Sequence, residues 1–583
     1  MAPKIIIVGG GLAGLSATIK VAEAGIPVQL FSVVPVRRSH SVCAQGGINA
    51  AVNTKGEGDS TWQHFDDSIY GGDFLANQTP VKNMCEVAPE IIYLLDRMGV
   101  MFNRTPEGLI DFRRFGGTLF NRTAFAGATT GQQLLYALDE QVRSFEAEGK
   151  VQKFEGWEFL SPITDDSVVC RGITAINMNT MEVRAFPADA VIICSGGPGA
   201  IYGKSTNSTI CTGSAASACY QGGAFYGNGE FIQVHPTAVP GEDKLRLISE
   251  SVRGEGGRVW VYKDGKPWYF LEEWYPKYGN LVPRDVATRA IFKVVYELRL
   301  GIEGRPQVYL DVSHLDPEML KRKLEGVLEI YEKFVGDDPK KIPMRVFPAV
   351  HYSMGGLWVD FNQMTNIPGL FAAGECEYQY HGANRLGANS LISCIFGGFV
   401  AGPAAVRYAK GLGKQSDSLD ASLFNAVEVR EREICEELTR RDGDGINPHV
   451  IHEELGNWMT ENVTVIRVNE KLRKTDDKIQ ELMEKYERIV LPDRGSWSNK
   501  ELLFARQLKN MLALARVITI GAWRRNESRG AHFKPEFPDR DDMNWLKTTK
   551  AKSRGWKDEP EFSYEEVDVQ YIKPRPRKYD VVK

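Results

Sequence analysis

The chain opens on an apolar strand pattern. Residues 4–8, KIIIV, form a continuous apolar run that ends in glycines, as in a strand buried on both faces of a parallel sheet. Leu12, Leu15, Ile19 and Ala22 then recur at helical spacing, and Gly25 offers a C-terminal stop. The run PVQLFSV is a second strand, so the N-terminus reads as a βαβ unit. Two distant segments carry the same signature, ADAVIICSGGPGA at 188–200 and IPGLFAAGECEY at 367–378. Each is an apolar strand that runs into a glycine turn. A sheet assembled from segments so far apart requires an insertion between them.

Residues 229–351 differ in character, with His235, the RGEGGR stretch, the aromatic WYFLEEWY and a helix from Arg284 onward. Beyond 409, FNAVEVREREICEEL, DDKIQELMEKYERIV and ELLFARQLKNMLALARVI are amphipathic at helical spacing. The tail after 526 is polar, rich in Trp and Pro, and reads as irregular. The expected fold class is therefore α/β: a Rossmann-like dinucleotide-binding domain (1–228 and 352–408) with an inserted α+β capping domain (229–351). A helical domain (409–525) and an irregular C-terminal domain (526–583) follow.

Composition narrows the function classes. A length of 583 residues allows about three or four domains. A net charge of −4 argues against a general nucleic-acid surface. No uninterrupted apolar run approaches the roughly 18–20 residues that span a bilayer, and the start enters a strand directly, leaving no room for a signal peptide. The expectation is a cytoplasmic chain that touches a membrane only through a partner. None of the nine cysteines forms a C-x-x-C pair, which argues against iron–sulfur or structural zinc ligation within the chain.

Gly9-x-Gly11-x-x-Gly14 follows a strand and opens a helix. The glycines let the backbone approach a pyrophosphate, and the helix N-terminus supplies free N–H groups and a positive dipole end. The acidic residue usual at the end of the second strand is replaced by Ser32, with Arg37 and Arg38 close behind. Taken alone, the arginines would suit the 2′-phosphate of NADP. The glycine-ended strands near 193 and 372 argue instead for a cofactor held along its whole length, as a flavin dinucleotide is, with Glu375 as a ribityl or ribose partner.

The segments SHSVCAQGGINA, HPTA, RGEGGR, PRDVATR, HYSMGG and HGANRLGANSL, in this order, closely resemble the flavoprotein subunit of succinate dehydrogenase and fumarate reductase. The resemblance runs from Gly9 to the SRGAHF segment at 528–533, and in detail it is nearest to the Bacillus-type succinate:menaquinone enzymes. It implies FAD bonded covalently through His40, within RRSHSVCAQGGINA, which raises the flavin potential enough to oxidise unactivated succinate carbons. The related aspartate oxidases lack that histidine. Further cofactor contacts implied are Ser39, Gly46, Gly47, Glu375, Asn389, Ser390 and Leu391, beside Gly9, Gly11, Gly14 and Ser32. The family's serine also stands at Ser32, whereas Ser214 replaces an Asp found in many relatives.

A site for a dicarboxylate must replace the hydration of two carboxylates by fixed donors. By resemblance His235, Ser249, His351 and Arg385 bind substrate, with Ser249 standing where many relatives have Thr. Arg284 matches the catalytic arginine, and Glu250 and Arg253 a proton relay that leads to it. The flavin is expected to take hydride from one methylene while Arg284 exchanges a proton with the other. Guanidinium ordinarily stays protonated, so this role needs burial and neighbouring cations. In some relatives an alkali cation lies near the loop matching Met354, Gly355, Gly356 and Glu375; no other metal is expected. The resemblance implies an iron–sulfur subunit and a membrane anchor as partners, electrons passing on to a (mena)quinone, no nucleic acid, and a peripheral place on the cytoplasmic face of a bacterial membrane. The alternative is fumarate reductase, the same site run in reverse.

Overall fold

The computed structural model describes residues 3–239, 241 and 244–579. Its centre is a five-stranded parallel sheet in the order Leu370–Ala372, Ala190–Ile193, Ile5–Val8, Val28–Ser32, Val151–Glu155. The three glycine-ended strands read from the pattern therefore lie side by side, Ile5 pairing with both Val28 and Ala190. Ile5, Ile6 and Ile7 are fully buried because helices cover one face of the sheet and a small antiparallel sheet the other. That small sheet, Trp157–Thr164, Cys170–Asn177 and Val183–Pro187, shares one apolar cluster with Ile6, Val191 and Ile193.

The helix Leu12–Glu23 packs along the helix Asn389–Lys410. Gly398 makes the contact close: a Cβ there would stand 2.4 Å from the Ala13 carbonyl oxygen. Asn389–Lys410 corrects one expectation. It has 22 residues, and an 18-residue window within it has a mean hydropathy of 1.5, long and apolar enough by composition to cross a membrane; 72% of that window is buried inside the protein. Its apolarity is that of a helix enclosed between a sheet and a second helix, a setting that selects the same residues as lipid does.

The segment from 229 to 351 builds a six-stranded antiparallel sheet in the order Arg246–Leu247, Ile232–Val239, Met344–Ser353, Val308–Asp311, Arg258–Lys263, Lys266–Trp268, backed by the helices Arg284–Phe292 and Glu325–Val335. The helices Ala421–Arg440, Pro448–Asn462, Asn469–Tyr486 and Lys500–Arg524 follow. The tail beyond 526 is not irregular throughout. Lys547–Lys552 and Glu561–Glu566 form an antiparallel hairpin that pairs with Tyr226–Gly227, and through it with Gly356–Leu357. The expectation failed because KTTKAK and EFSYEE are polar strands, the second at the sheet edge: exposure hid the strand period behind charged residues. Beneath the hairpin, Arg525 joins Glu230 (Nε–Oε1 2.7 Å) and Glu527 (Nη1–Oε1 2.8 Å), and Arg529 joins Glu527 (Nε–Oε1 2.8 Å), a buried network that ties the tail to the rest of the chain.

Candidate functional site

A cleft of two lobes begins at the ends of the parallel strands and runs under the antiparallel sheet. The outer lobe is lined by Gly9, Gly10, Gly11, Ser32, Ser39, Glu158, Ser195, Ser214 and Gln507. The inner lobe, about 350 Å³, is lined by Gly46, Gly47, Phe115, His235, Ser249, Glu250, Arg284, His351, Arg385, Ser390 and Leu391. His40, Ser41, Glu375 and Cys394 line both lobes, so the two are continuous and His40 stands at the junction.

The outer lobe fits the dinucleotide reading. Gly9 takes φ +117°, and a Cβ on Gly14 would stand 1.8 Å from the Gly9 carbonyl oxygen, so the turn and the helix behind it require both glycines. Leu12–Glu23 begins at the cleft behind Gly11, which has no capping side chain; the Leu12 N–H reaches Ser41 Oγ at 3.3 Å, and the first turn offers further amide donors to a pyrophosphate. Ser39 and Ser195 present buried hydroxyls that have no protein partner. Ser32 Oγ donates to the Val34 carbonyl at 2.6 Å. Arg37 is engaged elsewhere: its Nε lies 2.6 Å from Asp139 Oδ2 and its Nη2 pairs with Glu140. Arg38 is exposed and does not line the cleft, which removes the basis for a 2′-phosphate site. Ser214 Oγ accepts from Asn510 Nδ2 at 2.7 Å, so a helix of the C-terminal third completes this wall.

His40 opens the short turn His40–Cys43. The Ser208 N–H donates to its Nδ1 at 3.1 Å, and Asn207 Nδ2 faces its Nε2 at 3.1 Å. Burial, aided by the Lys244 ammonium, pushes the imidazole down to about 4. Glu375 accepts from the Ser353 N–H at 3.1 Å, and burial pushes its carboxyl up to about 7. Asn389 is turned away from the cleft. Its Oδ1 accepts from Asn49 Nδ2 at 2.7 Å and lies 3.0 Å from His64 Nε2, while its Nδ2 donates to Ser68 Oγ at 2.8 Å. It anchors the start of the helix that brings Ser390 and Leu391 to the lobe.

The inner lobe collects the charged residues. His235 lies on Ile232–Val239 and His351 on the neighbouring Met344–Ser353, with ring centroids 5.0 Å apart. The register jumps from Gln233–Tyr352 to Val234–Val350, leaving His351 as the extra residue of a bulge, which re-aims its side chain. Thr206 Oγ1 lies 2.6 Å from His351 Nδ1. The Thr237 N–H, hydroxyl and carbonyl each lie 3.2 Å from His235 Nδ1, and Nε2 is buried with no protein partner. Burial, reinforced by Arg284, holds both imidazoles well below the usual histidine range.

Arg284 is the first residue of its helix and reaches back across the lobe. Its Nε donates to Glu250 Oε2 at 2.8 Å and its Nη1 to Gln233 Oε1 at 3.0 Å. The other Glu250 oxygen, Oε1, accepts from Arg253 Nη2 at 2.8 Å. Burial alone would raise the Glu250 carboxyl; Arg284 and Arg253 outweigh it and hold the group below its ordinary value. Glu250 fits only because two neighbours lack side chains: a Cβ on Gly116 or Gly387 would stand 2.2 or 2.6 Å from its oxygens. Arg253 lies behind Glu250, not on the cleft wall, and also donates to the Asn280 carbonyl at 2.6 Å. Arg385 sits 4.4 Å from the Tyr352 ring centroid, its Nε has no protein partner, and burial with the nearby Arg284 pushes it down to about 9. Ser249 Oγ accepts from Ser251 Oγ at 2.9 Å. Arg284 and Arg385, with Arg253 behind them, surround the single Glu250 carboxylate beside neutral imidazoles, so this end of the lobe carries an excess of positive charge.

Several neighbours were not anticipated from sequence. Gln233 also donates to the Arg385 carbonyl (2.7 Å) and thus bridges the two arginines; two residues before His235 on one strand, it had a period-2 signal. Arg113, fully buried, donates to the Gly46 carbonyl at 3.0 Å and fixes the Gly46–Gly47 turn. Thr206, Asn207 and Ser208 had no such signal. In the 354–356 loop, the Gly355 carbonyl accepts from Ser353 Oγ at 2.8 Å. Among the described residues no group of three or more His, Cys, Asp or Glu side chains is placed to hold a metal ion, so an alkali cation at this loop would rest on carbonyl oxygens.

Residues 4–391 match a family described as FAD binding domain, and residues 452–579 one described as fumarate reductase flavoprotein C-term. The chain is 67% identical to the succinate dehydrogenase flavoprotein subunit of Bacillus subtilis, over 99% of this chain and 98% of that one. It is 36% identical to the fumarate reductase flavoprotein subunit of Escherichia coli, over 99% and 95%. Among solved structures, a point mutant of the E. coli quinol fumarate reductase superimposes with a TM-score of 0.93 at 34% identity, covering 100% of both chains. The Mycobacterium smegmatis Sdh1 in complex with UQ1 superimposes with a TM-score of 0.84 at 30% identity, covering 98% and 95%.

Proposed function

The chain belongs to the family of FAD-binding flavoprotein subunits of succinate dehydrogenase and fumarate reductase, and from that premise we propose that it oxidises succinate to fumarate at the inner lobe of its cleft. The observation that carries this reading is the wall of Arg284, Arg385, His235 and His351, with its excess of positive charge, in the inner lobe of a dinucleotide cleft. A dicarboxylate dianion matches that charge. FAD, when bound, supplies the oxidant that accepts two electrons as hydride. His235 Nε2, His351, Ser249 and Arg385 bind and orient the two carboxylates. Arg284, placed between Glu250 and Gln233, moves the proton at the neighbouring carbon, and Glu250 and Arg253 restore its protonation state. Glu375, with Gly46, Gly47, Ser390 and Leu391, contacts the cofactor in the passage between lobes.

His40 carries the covalent bond to the flavin. The Ser208 N–H on Nδ1 supports this, because it engages that nitrogen and leaves Nε2, which has only the Asn207 amide beside it, as the one to be substituted. The antiparallel sheet closes over bound dicarboxylate as a lid, since its residues complete a donor set begun by Arg385. Electrons leave to an iron–sulfur subunit, and a membrane anchor subunit holds the complex on the cytoplasmic face, where they reach menaquinone. The 67% identity to a succinate dehydrogenase subunit favours oxidation as the working direction; the fumarate reductases stand further away.

The test is anaerobic. Succinate added to the purified complex should bleach the flavin absorbance, and malonate should block the bleaching. Flavin that stays oxidised under excess succinate would overturn the reading. Fractionation of cells tests the location: activity that is soluble and free of any partner would count against it.

A further inference from the structure

The last described residues cross the molecule as an extended strap. Gln78 clamps its beginning, accepting from the Tyr571 and Ile572 amides at 2.9 and 2.8 Å and donating to the Ile572 carbonyl at 2.7 Å. Arg575 pairs with Asp66 at 2.6 Å. The Tyr70 hydroxyl accepts from the Lys578 N–H at 2.6 Å, and the Tyr579 ring packs edge-on against Tyr70 and Tyr278, at 5.5 and 5.0 Å. Asp66, Tyr70 and Gln78 belong to helices beside the parallel sheet, whereas Tyr278 belongs to the segment inserted above the cleft. Between these anchors Arg577 forms a bidentate ion pair with Asp285, Nη1–Oδ2 2.6 Å and Nη2–Oδ1 3.0 Å, and both side chains are buried.

Asp285 directly follows Arg284 in the first turn of the Arg284–Phe292 helix. The two side chains leave that turn in different directions, Arg284 to Glu250 and Gln233, Asp285 to the strap. Arg289, one turn on, also reaches the tail, donating to the Gly530 carbonyl at 2.7 Å.

We propose that Arg577 is a positioning residue for Arg284: by clamping Asp285, the strap fixes the helix turn from which the guanidinium reaches the substrate. The proposal rests on the reading of Arg284 as the proton-moving group. Without Arg577, Asp285 keeps only Arg289, 3.1 Å away, as a partner. A buried carboxylate in that state draws its backbone toward water, and the turn shifts.

The experiment uses the assembled complex with Arg577→Gln and Arg577→Lys. Misplacement of a catalytic group by about 1 Å can cost on the order of 10²-fold in rate, so Arg577→Gln should lower kcat for succinate by about 10-fold or more. Malonate affinity should change far less than kcat, and flavin content should stay at the wild-type value, because His235, His351 and Arg385 stand on other elements. Arg577→Lys, which keeps charge and loses the fork, should recover part of the rate. Combined with Arg284→Lys, Arg577→Gln should add little further loss, since the group it positions is already changed. Wild-type kcat in Arg577→Gln, or an undiminished loss in the Arg284→Lys background, overturns the proposal. If the glutamine variant fails to assemble, Arg577→Lys decides: unchanged kcat and pH profile reject the clamp. A separate outcome, in which Arg284→Gln keeps turnover, would sink the proton-transfer reading and leave the Arg577 measurements to stand as they fall.

Discussion

Arg284 Nε lies 2.8 Å from Glu250 Oε2, inside a wall where both side chains are almost entirely buried. A carboxylate so placed orients the guanidinium and offers a route by which its proton is replaced. General acid–base transfer is typically worth about 10²- to 10⁴-fold. Arg284→Gln should therefore bind FAD, and bind malonate near wild-type affinity, yet lose nearly all succinate oxidation, the pattern of a group whose contribution arises in the transition state. Glu250→Gln should be the milder variant. Steady-state kinetics beside malonate titration decide this; if Arg284→Gln keeps more than about a tenth of wild-type turnover, against that expected 10²-fold minimum, the residue is a carboxylate clamp only.

The flavin should remain with acid-precipitated protein, and the pellet should fluoresce. His40→Ser should hold FAD non-covalently and oxidise succinate poorly while still reducing fumarate with an artificial donor. All flavin in the supernatant from wild-type complex would remove the tether at His40.

Gln233 predicts a graded loss. Its amide accepts from Arg284 and donates to the Arg385 carbonyl. A hydrogen bond to a charged group contributes about 1.5–3 kcal/mol, so Gln233→Leu should lower kcat/KM by roughly 10- to 100-fold. Equal kinetics in the variant and wild type would show that Glu250 alone orients Arg284.

The parallel-sheet half of the fold was legible because strands buried on both faces repeat one pattern, KIIIV, AVII and LFA, each before glycine. The inner-lobe residues were legible by resemblance alone; no periodicity singles out Arg385 from other arginines. The hairpin at 547–566 was not legible, since a half-exposed strand of Lys, Thr and Glu has no apolar alternation. Nor was the turn from Thr206 to Ser208, whose importance lies in the distant His40 and His351 that meet it.

Stability should rise with pH between about 5 and 6.5. Burial lowers seven histidines in the folded chain, His40, His64, His235, His351, His381, His452 and His532. Below the ordinary histidine value the unfolded chain takes up protons that the folded chain refuses, so falling pH favours unfolding. Burial raises Glu158 and Glu375 to about 7 and Glu377 to about 8, and these act in the opposite sense between the ordinary carboxyl value and those values. The histidines outnumber them, so the melting temperature should increase across this window. A flat or falling profile there would mean that water reaches these imidazoles.

The order of the central sheet has a consequence for how the protein is made. The strand Leu370–Ala372 completes an edge begun by Ile5–Val8 and Ala190–Ile193, and the passage between lobes needs Glu375 just beyond it. A ribosome must therefore translate almost two-thirds of the message before the nascent chain can close the central sheet and supply Glu375, and Gln507 of the outer lobe comes later still. Until then the first βαβ unit waits with an open sheet edge, the kind of surface that recruits unwanted strands. Slow elongation before codon 370, or a shortage of flavin at that moment, should lengthen this vulnerable interval and send the product to aggregates and proteases in place of assembly.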